Sequence, residues 1–398
     1  MTQRPIKLQP QPWNDSPSEG KQLCVLHVGM PKTGSSSIQS TLFFGLDNTG
    51  HRYIGFGEIN GSRALKTLLG ENPEQFFLHR FLNFDKKVTE RLKARFQQRL
   101  TKSLRLSRRE RAIPILSAEG CWSMNRSELE SLRKLIDNHG YEVRVIVYLR
   151  PIKAWLESVF QERVKWGQRD ITALIQQQTA RNSRSNYRER LATLEEAFGR
   201  KNIFAYPFRS HELADQCVVK DFCLRLGIRM DPTQIRQTNE GMSLDAVRLL
   251  YAYNRFGRAR GPDNIREVLL LHRMLQDLEG ESLRFHSQAI EPIAPFIGKQ
   301  QELISQHYGI DLSEDLSAYD DRACIRDEAD LFRFSRASLD WLARASGSSP
   351  IHGSEGEKVA RQVSDQMRRL RRHSPWRNRL ALYNDIARRE IRRIRHGV

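Results

Sequence analysis

The run Leu23-Cys24-Val25-Leu26-His27-Val28-Gly29-Met30-Pro31-Lys32-Thr33-Gly34-Ser35-Ser36-Ser37-Ile38-Gln39 constrains this chain more than any other. A short apolar stretch feeds a Gly/Ser loop and then a helix-like segment, so a strand, a tight loop and a helix are expected in that order. Such a junction builds an anion cradle. Gly29 and Gly34 let the backbone turn sharply. Successive N–H groups, the positive end of the helix and the hydroxyls of Thr33, Ser35, Ser36 and Ser37 can then converge on one anion.

The lysine sits in an unusual place. In the ATP-binding pattern G-x-x-x-x-G-K-[ST] it follows the second glycine, but Ser35 holds that position here and the loop's lysine is Lys32, next to Pro31. An ordinary ATPase reading therefore fails. A second element follows: Val143-Arg144-Val145-Ile146-Val147-Tyr148-Leu149-Arg150-Pro151, then Ile152-Lys153-Ala154-Trp155-Leu156-Glu157-Ser158. Valine and isoleucine recur as in a buried parallel strand, Pro151 suits a first helical position, and Ser158 falls about two turns along the helix. Arg150, at the strand's carboxyl end, can hold a phosphate, and Ser158 can add a second hydrogen bond.

The loop Pro31-Lys32-Thr33-Gly34-Ser35-Ser36-Ser37 resembles the 5'-phosphosulfate loop of sulfotransferases that use 3'-phosphoadenosine 5'-phosphosulfate (PAPS). The Arg150/Ser158 element resembles the pair that grips the 3'-phosphate in that family. Later segments also follow the bacterial pattern: Tyr187, Phe198-Gly199-Arg200-Lys201-Asn202-Ile203-Phe204-Ala205-Tyr206, Phe222-Cys223-Leu224-Arg225-Leu226-Gly227 and Asn239-Glu240-Gly241-Met242-Ser243-Leu244-Asp245-Ala246. The resemblance spans roughly residues 22–255. It implies a P-loop-type α/β fold, a parallel sheet flanked by helices, with PAPS as co-substrate and Lys32 as the group that meets charge developing on the donor.

An acceptor hydroxyl must also lose a proton to a carboxylate or histidine. Glu119 is the first candidate, because it ends a strand next to the cofactor strand. Glu58 and His51, expected in the loop after the first helix, are the others. The family's loop sometimes carries a histidine where this chain has Asn60-Gly61, so the choice stays open at this point. No His/Cys/Asp ligand cluster is visible, and no metal is expected.

Between the two phosphate elements, Ser62–Leu69 and Phe76–Leu104 read as helices, Ala112–Ser117 as a strand and Leu129–His139 as a helix. Asn186–Phe198 is then helical, Asn202–Tyr206 a strand and Leu213–Leu226 a helix. The expected organisation is a disordered segment at 1–21, the α/β domain at 22–255, and a helical extension at 256–345 that is a candidate for acceptor binding. A linker and basic helical tail complete it at 346–398. The linker reading rests on Ser and Gly from Ser346 to Gly356. The tail reading rests on 13 Lys/Arg against 5 Asp/Glu from Ile351 to Val398, a net +8. Within it, Leu380, Tyr383, Ile386, Ile391 and Ile394 form a candidate helical stripe.

The chain has 398 residues, five cysteines without metal spacing and a formal net charge of +18. No signal pattern or membrane-length apolar run is present, so a cytoplasmic location is expected, with peripheral contact at the inner membrane surface through the tail as an option. A carbohydrate, a lipid-linked sugar or glycolipid, or a small hydroxylated metabolite is compatible as acceptor, with saccharide preferred because the charge suits anionic glycans, and nucleic acid is not the expected partner. Two other classes remain at this level. One is a nucleotide kinase or NTPase with a deviant P-loop, and the other a non-enzymatic protein that binds anions or nucleic acid.

Overall fold

The computed structural model describes residues 16–46, 50–75, 79, 84–167, 170–179, 184–237, 241–257 and 264–372. Its elements run β1 (Gln22–Val28), α1 (Ser35–Gly45), β2 (His51–Tyr53), α2 (Ser62–Leu69), α3 (Lys86–Glu110), β3 (Ile113–Ala118), α4 (Arg126–Asp137) and β4 (Tyr141–Leu149). Then come α5 (Ile152–Lys165), α6 (Ile171–Gln176), α7 (Tyr187–Phe198), β5 (Ile203–Pro207) and α8 (Val218–Arg225). The last are α9 (Leu244–Phe256), α10 (Asn264–Leu275), α11 (Ser287–Ile290), α12 (Ala294–Tyr308), α13 (Arg336–Ser346) and α14 (Glu357–Arg372). The described helices include none long and apolar enough to cross a membrane.

Five strands form one parallel sheet in the order β2-β3-β1-β4-β5. This is the expected α/β architecture. β1 and β4 are buried along most of their length, which is why they read as mainly apolar runs, interrupted at His27 and Arg144, rather than alternating ones. After β1 the chain moves to one edge of the sheet and returns through β3, then passes to the other side of β1 for β4 and β5. The loop after β1 therefore opens at the point where strand order reverses, flanked by the carboxyl ends of β3 and β4.

The contacts divide the chain into units that are not consecutive in sequence, unlike the blocks expected from the resemblance at 22–255 and from composition beyond it. One unit comprises Met1–Pro151, Arg184–Asn239 and Gln300–Leu312, and holds the sheet. On one face of the sheet, α1 and α8 pack through Ile38, Leu42, Val218, Val219 and Phe222 onto Val25, Ile115, Ile146 and Tyr148. α3 buries Leu92, Phe96, Leu100 and Leu104 at four-residue spacing. Each side chain of that kind contributes roughly 1.5–3 kcal/mol when removed from water. Asp85 caps α3 by accepting the Val88 N–H at 2.7 Å, so the helix begins at Lys86 rather than Phe76. Residues 76–78 and 80–83 lie outside the described set. α4 starts at Arg126 because Asn125 and Glu128 form a reciprocal capping box. The helix expected from Leu213 starts only at Val218, since Asp215 and Gln216 have φ of 48° and 56°.

The other unit comprises Ile152–Ser183, Glu240–Lys299 and Ser313–Val398 and is helical. The expected basic helix is present as far as residue 372, but it and the segment before it are packed rather than appended through a linker. Phe334 N–H donates to Ser354 O at 2.7 Å, Gly356 N–H to Phe332 O at 3.0 Å, and Gln366 Nε2 to Ser349 O at 2.7 Å. The Ser/Gly stretch is thus pinned, with Ile351 buried. α14 then lies on α9 and α13, burying Val359, Ala360, Val363, Met367 and Leu370. Its arginines occupy the outer side of a packed amphipathic helix, so their density misled the reading. The apolar positions from Leu380 to Ile394 and the segment 1–15 lie outside the described residues.

Candidate functional site

The loop after β1 takes its shape from three backbone facts. Gly34 has φ of +72°, and a Cβ there would stand 2.6 Å from Val218 Cγ1, so both conformation and space require glycine. Gly29 is needed for space alone: a Cβ would meet Ser35 Oγ at 2.7 Å and Glu119 Cγ at 3.0 Å. Lys32 adopts φ of +70° without being glycine, a costly backbone state of the kind that clusters at ligand sites.

α1 opens with Gly34 at its N-cap, no side-chain cap and no acidic residue in its first turn. The N–H groups of Ser37 and Ile38 already return to Gly34 O, whereas those of Ser35 and Ser36 precede any intrahelical acceptor. This positive, uncapped helix start is suited to an anion. Two of the hydroxyls expected to meet that anion instead brace the loop. Thr33 Oγ1 donates to Met30 O at 2.7 Å and Ser35 Oγ to the same carbonyl at 3.2 Å. Backbone N–H groups are left as the principal donors, with Ser36 half-buried at the opening turn.

Arg150 follows β4 directly, and its Nη1 donates to Lys32 O at 3.0 Å. The two elements singled out in the sequence, 118 residues apart, therefore meet in one place. The guanidinium lies over the Phe208 ring at 5.6 Å, and Tyr187 Oη donates to Arg150 O at 2.7 Å from a fully buried position. Phe208 escaped the sequence reading; its only signal was an aromatic residue just past an apolar strand. Ser158 lies within α5, seven residues after the Pro151 that ends the first unit's opening segment, and belongs to the other unit.

The base candidates separate. Glu119 immediately follows β3 and stands against Gly29, beside the loop. Glu58 Oε1 accepts bonds from both Nε and Nη2 of Arg63, a guanidinium 7% exposed. His51 is in β2 rather than a loop, paired with Ile113 at the amino end of β3. Six residues of extended chain separate Ile113 from Glu119, about 20 Å. His51 is thus at the opposite edge of the sheet.

Beneath the loop lies a polar hub that sequence reasoning missed. Ser117 Oγ pairs with His27 Nδ1 at 2.8 Å and accepts from Gln39 Nε2 at 3.1 Å, tying β3 to β1 and α1 on either side of the loop. Burial pushes His27 down to about 3, so the ring is neutral and is not a base at working pH. Polar residues within otherwise apolar runs were the available signal. Among the described residues, no group of three or more His, Cys, Asp and Glu is placed to hold a metal ion.

No family model matches the chain, and no curated protein does. Among solved structures, a sulfotransferase from Alicyclobacillus acidocaldarius is similar over 73% of this chain and 97% of that chain, with 11% identity and a TM-score of 0.37. The α/β fold is defined by the strand order β2-β3-β1-β4-β5 and the helices that flank it.

Proposed function

We propose that this protein is a PAPS-dependent sulfotransferase that moves a sulfuryl group to an acceptor hydroxyl of a saccharide or glycolipid. The observation that supports the reading is the Arg150–Lys32 hydrogen bond, which brings a guanidinium onto a loop whose lysine stands apart from the ATPase position. A nucleotide with a phosphate at each end of its ribose fits two cationic anchors, one at the α1 N-terminus and one at Arg150. Ser158 joins the 3'-phosphate contacts by the resemblance alone.

Sulfuryl transfer is an in-line displacement in which positioning and charge stabilisation dominate. The acceptor oxygen attacks sulfur while the bond from sulfur to the 5'-phosphate oxygen breaks, leaving its electron pair on that oxygen. The Lys32 ammonium neutralises the charge that grows there, helped by the N–H groups of Gly34, Ser35 and Ser36. Glu119 takes the acceptor proton. Glu119 is preferred to Glu58 for its place against Gly29 beside the loop, and to His51 because His51 sits at the amino end of β2.

The test is transfer of label from sulfur-labelled PAPS to a panel of saccharide, glycolipid and small-molecule hydroxyls. Label should move to at least one acceptor, and Lys32→Ala should reduce the rate by roughly 100-fold or more while weakening product-nucleotide binding far less. ATP hydrolysis without label transfer would replace this reading with an NTPase.

A further inference from the structure

The helix α3 carries a cationic face separate from the loop. Its 25 residues hold ten Lys/Arg against two Asp/Glu, a net +8 within a chain of net +18. The buried stripe Leu92, Phe96, Leu100 and Leu104 fixes which side faces out. At 100° per residue, Lys87, Arg91, Ala94, Gln98, Lys102, Arg105 and Arg109 fall within one narrow outer face, and all are exposed. Five of these seven are cations and none is acidic. Among the described residues, Lys87, Arg91, Lys102 and Arg105 have no carboxylate partner, and Arg109 has only a 4.0 Å contact to its neighbour Glu110. Toward the helix's end, Gln98, Thr101, Lys102, Arg105, Leu106 and Arg109 line a shallow groove of about 480 Å³.

Cations from Lys87 to Arg109 extend over about 33 Å at 1.5 Å per residue. The row also has a direction. Tyr141 Oη, at the start of β4, donates to Leu104 O, while Arg99, earlier in α3, bonds to Phe56 O just past the carboxyl end of β2. Lys87 and Arg91 therefore lie toward the sheet's carboxyl edge, the edge that carries the phosphate loop. The face presents no aromatic ring on which a nucleic-acid base could stack, and its groove holds one large apolar side chain, the half-buried Leu106, too little to enter a bilayer.

The geometry points to this face as a docking track for a linear, acidic polysaccharide bearing carboxylate or sulfate groups, which would be the acceptor whose hydroxyl reaches the loop. This rests on the sulfotransferase reading for the acceptor role, but the binding itself does not require it. The row of point charges gives affinity through counterion release and does not fix sequence, as suits a repetitive polymer.

The probe is a heparin-derived decasaccharide, titrated against the full chain and two variants, Lys102→Gln/Arg105→Gln/Arg109→Gln and Lys87→Gln/Arg91→Gln. At low salt the triple variant should bind at least roughly 10-fold more weakly, with a shallower dependence of affinity on salt. The double variant should do the same to a smaller degree. In both, the thermal shift given by 3',5'-adenosine bisphosphate should be unchanged, which also reports that the fold is intact. Unchanged decasaccharide affinity in both variants overturns the track. So does a DNA duplex of equal charge that competes as well as the saccharide, which would make the face a nucleic-acid surface. Loss of saccharide binding in a chain that never binds the bisphosphate nucleotide would uphold the track and remove the sulfotransferase reading.

Discussion

Gly34 is under two independent demands, a left-handed backbone and 2.6 Å of clearance to Val218, so Gly34→Ala tests the loop directly. Thermal unfolding should show a loss of about 1–3 kcal/mol, together with weaker nucleotide binding. Glu119 makes a different test. Glu119→Gln should lose roughly 100-fold or more in transfer rate while the nucleotide still binds, and a normal rate would pass the role to Glu58. His27 yields a pH prediction. Its folded value is depressed to about 3 by burial, below the unfolded value, so the unfolded chain binds the proton first. The contribution is complete above the unfolded histidine range and is lost as pH falls toward 3, by roughly 1.4 kcal/mol per pH unit in between. Glu314, pushed up to about 7 mainly by burial, acts in the opposite sense, losing its contribution as pH rises from the carboxylate range. The informative quantity is therefore the difference in denaturation slope with pH between wild type and His27→Gln. A difference of zero between pH 4 and 6 would mean that His27 is not buried neutral.

At the scale of elements, apolar runs were legible and short or capped pieces were not. β1, β3, β4 and β5 announced themselves because both of their faces are covered, so every residue could be apolar. β2 has only His51-Arg52-Tyr53, too short and polar to show a period, and it forms because β3 offers a free edge. The break before α8 depended on positive φ at Asp215 and Gln216, which no periodicity reveals. α14 was misjudged because charge density conceals an apolar stripe of one residue in three or four. Its packing predicts that Met367→Ala, at a fully buried position, costs about 2–5 kcal/mol, read from chemical denaturation. A surface tail would give almost no change.

At the scale of the whole molecule, the strand order β2-β3-β1-β4-β5 is what turns separate motifs into one site. The sequence placed Lys32 and Arg150 at strand-to-helix junctions, but their meeting depends on β1 and β4 being neighbours, a long-range pairing that local pattern cannot supply. The same long-range pairing explains the units. Each gathers segments far apart in the chain, whereas composition can divide a sequence only into consecutive blocks. The central claim is that the loop and Arg150 form one site for a nucleotide phosphorylated at both the 3' and 5' positions. Its most direct test is the thermal unfolding of the full chain with 3',5'-adenosine bisphosphate, beside ATP at the same concentration. The account predicts a rise of several degrees with the bisphosphate, much less with ATP, and loss of the difference in Arg150→Ala. Equal shifts with both nucleotides, or none with either, would contradict it.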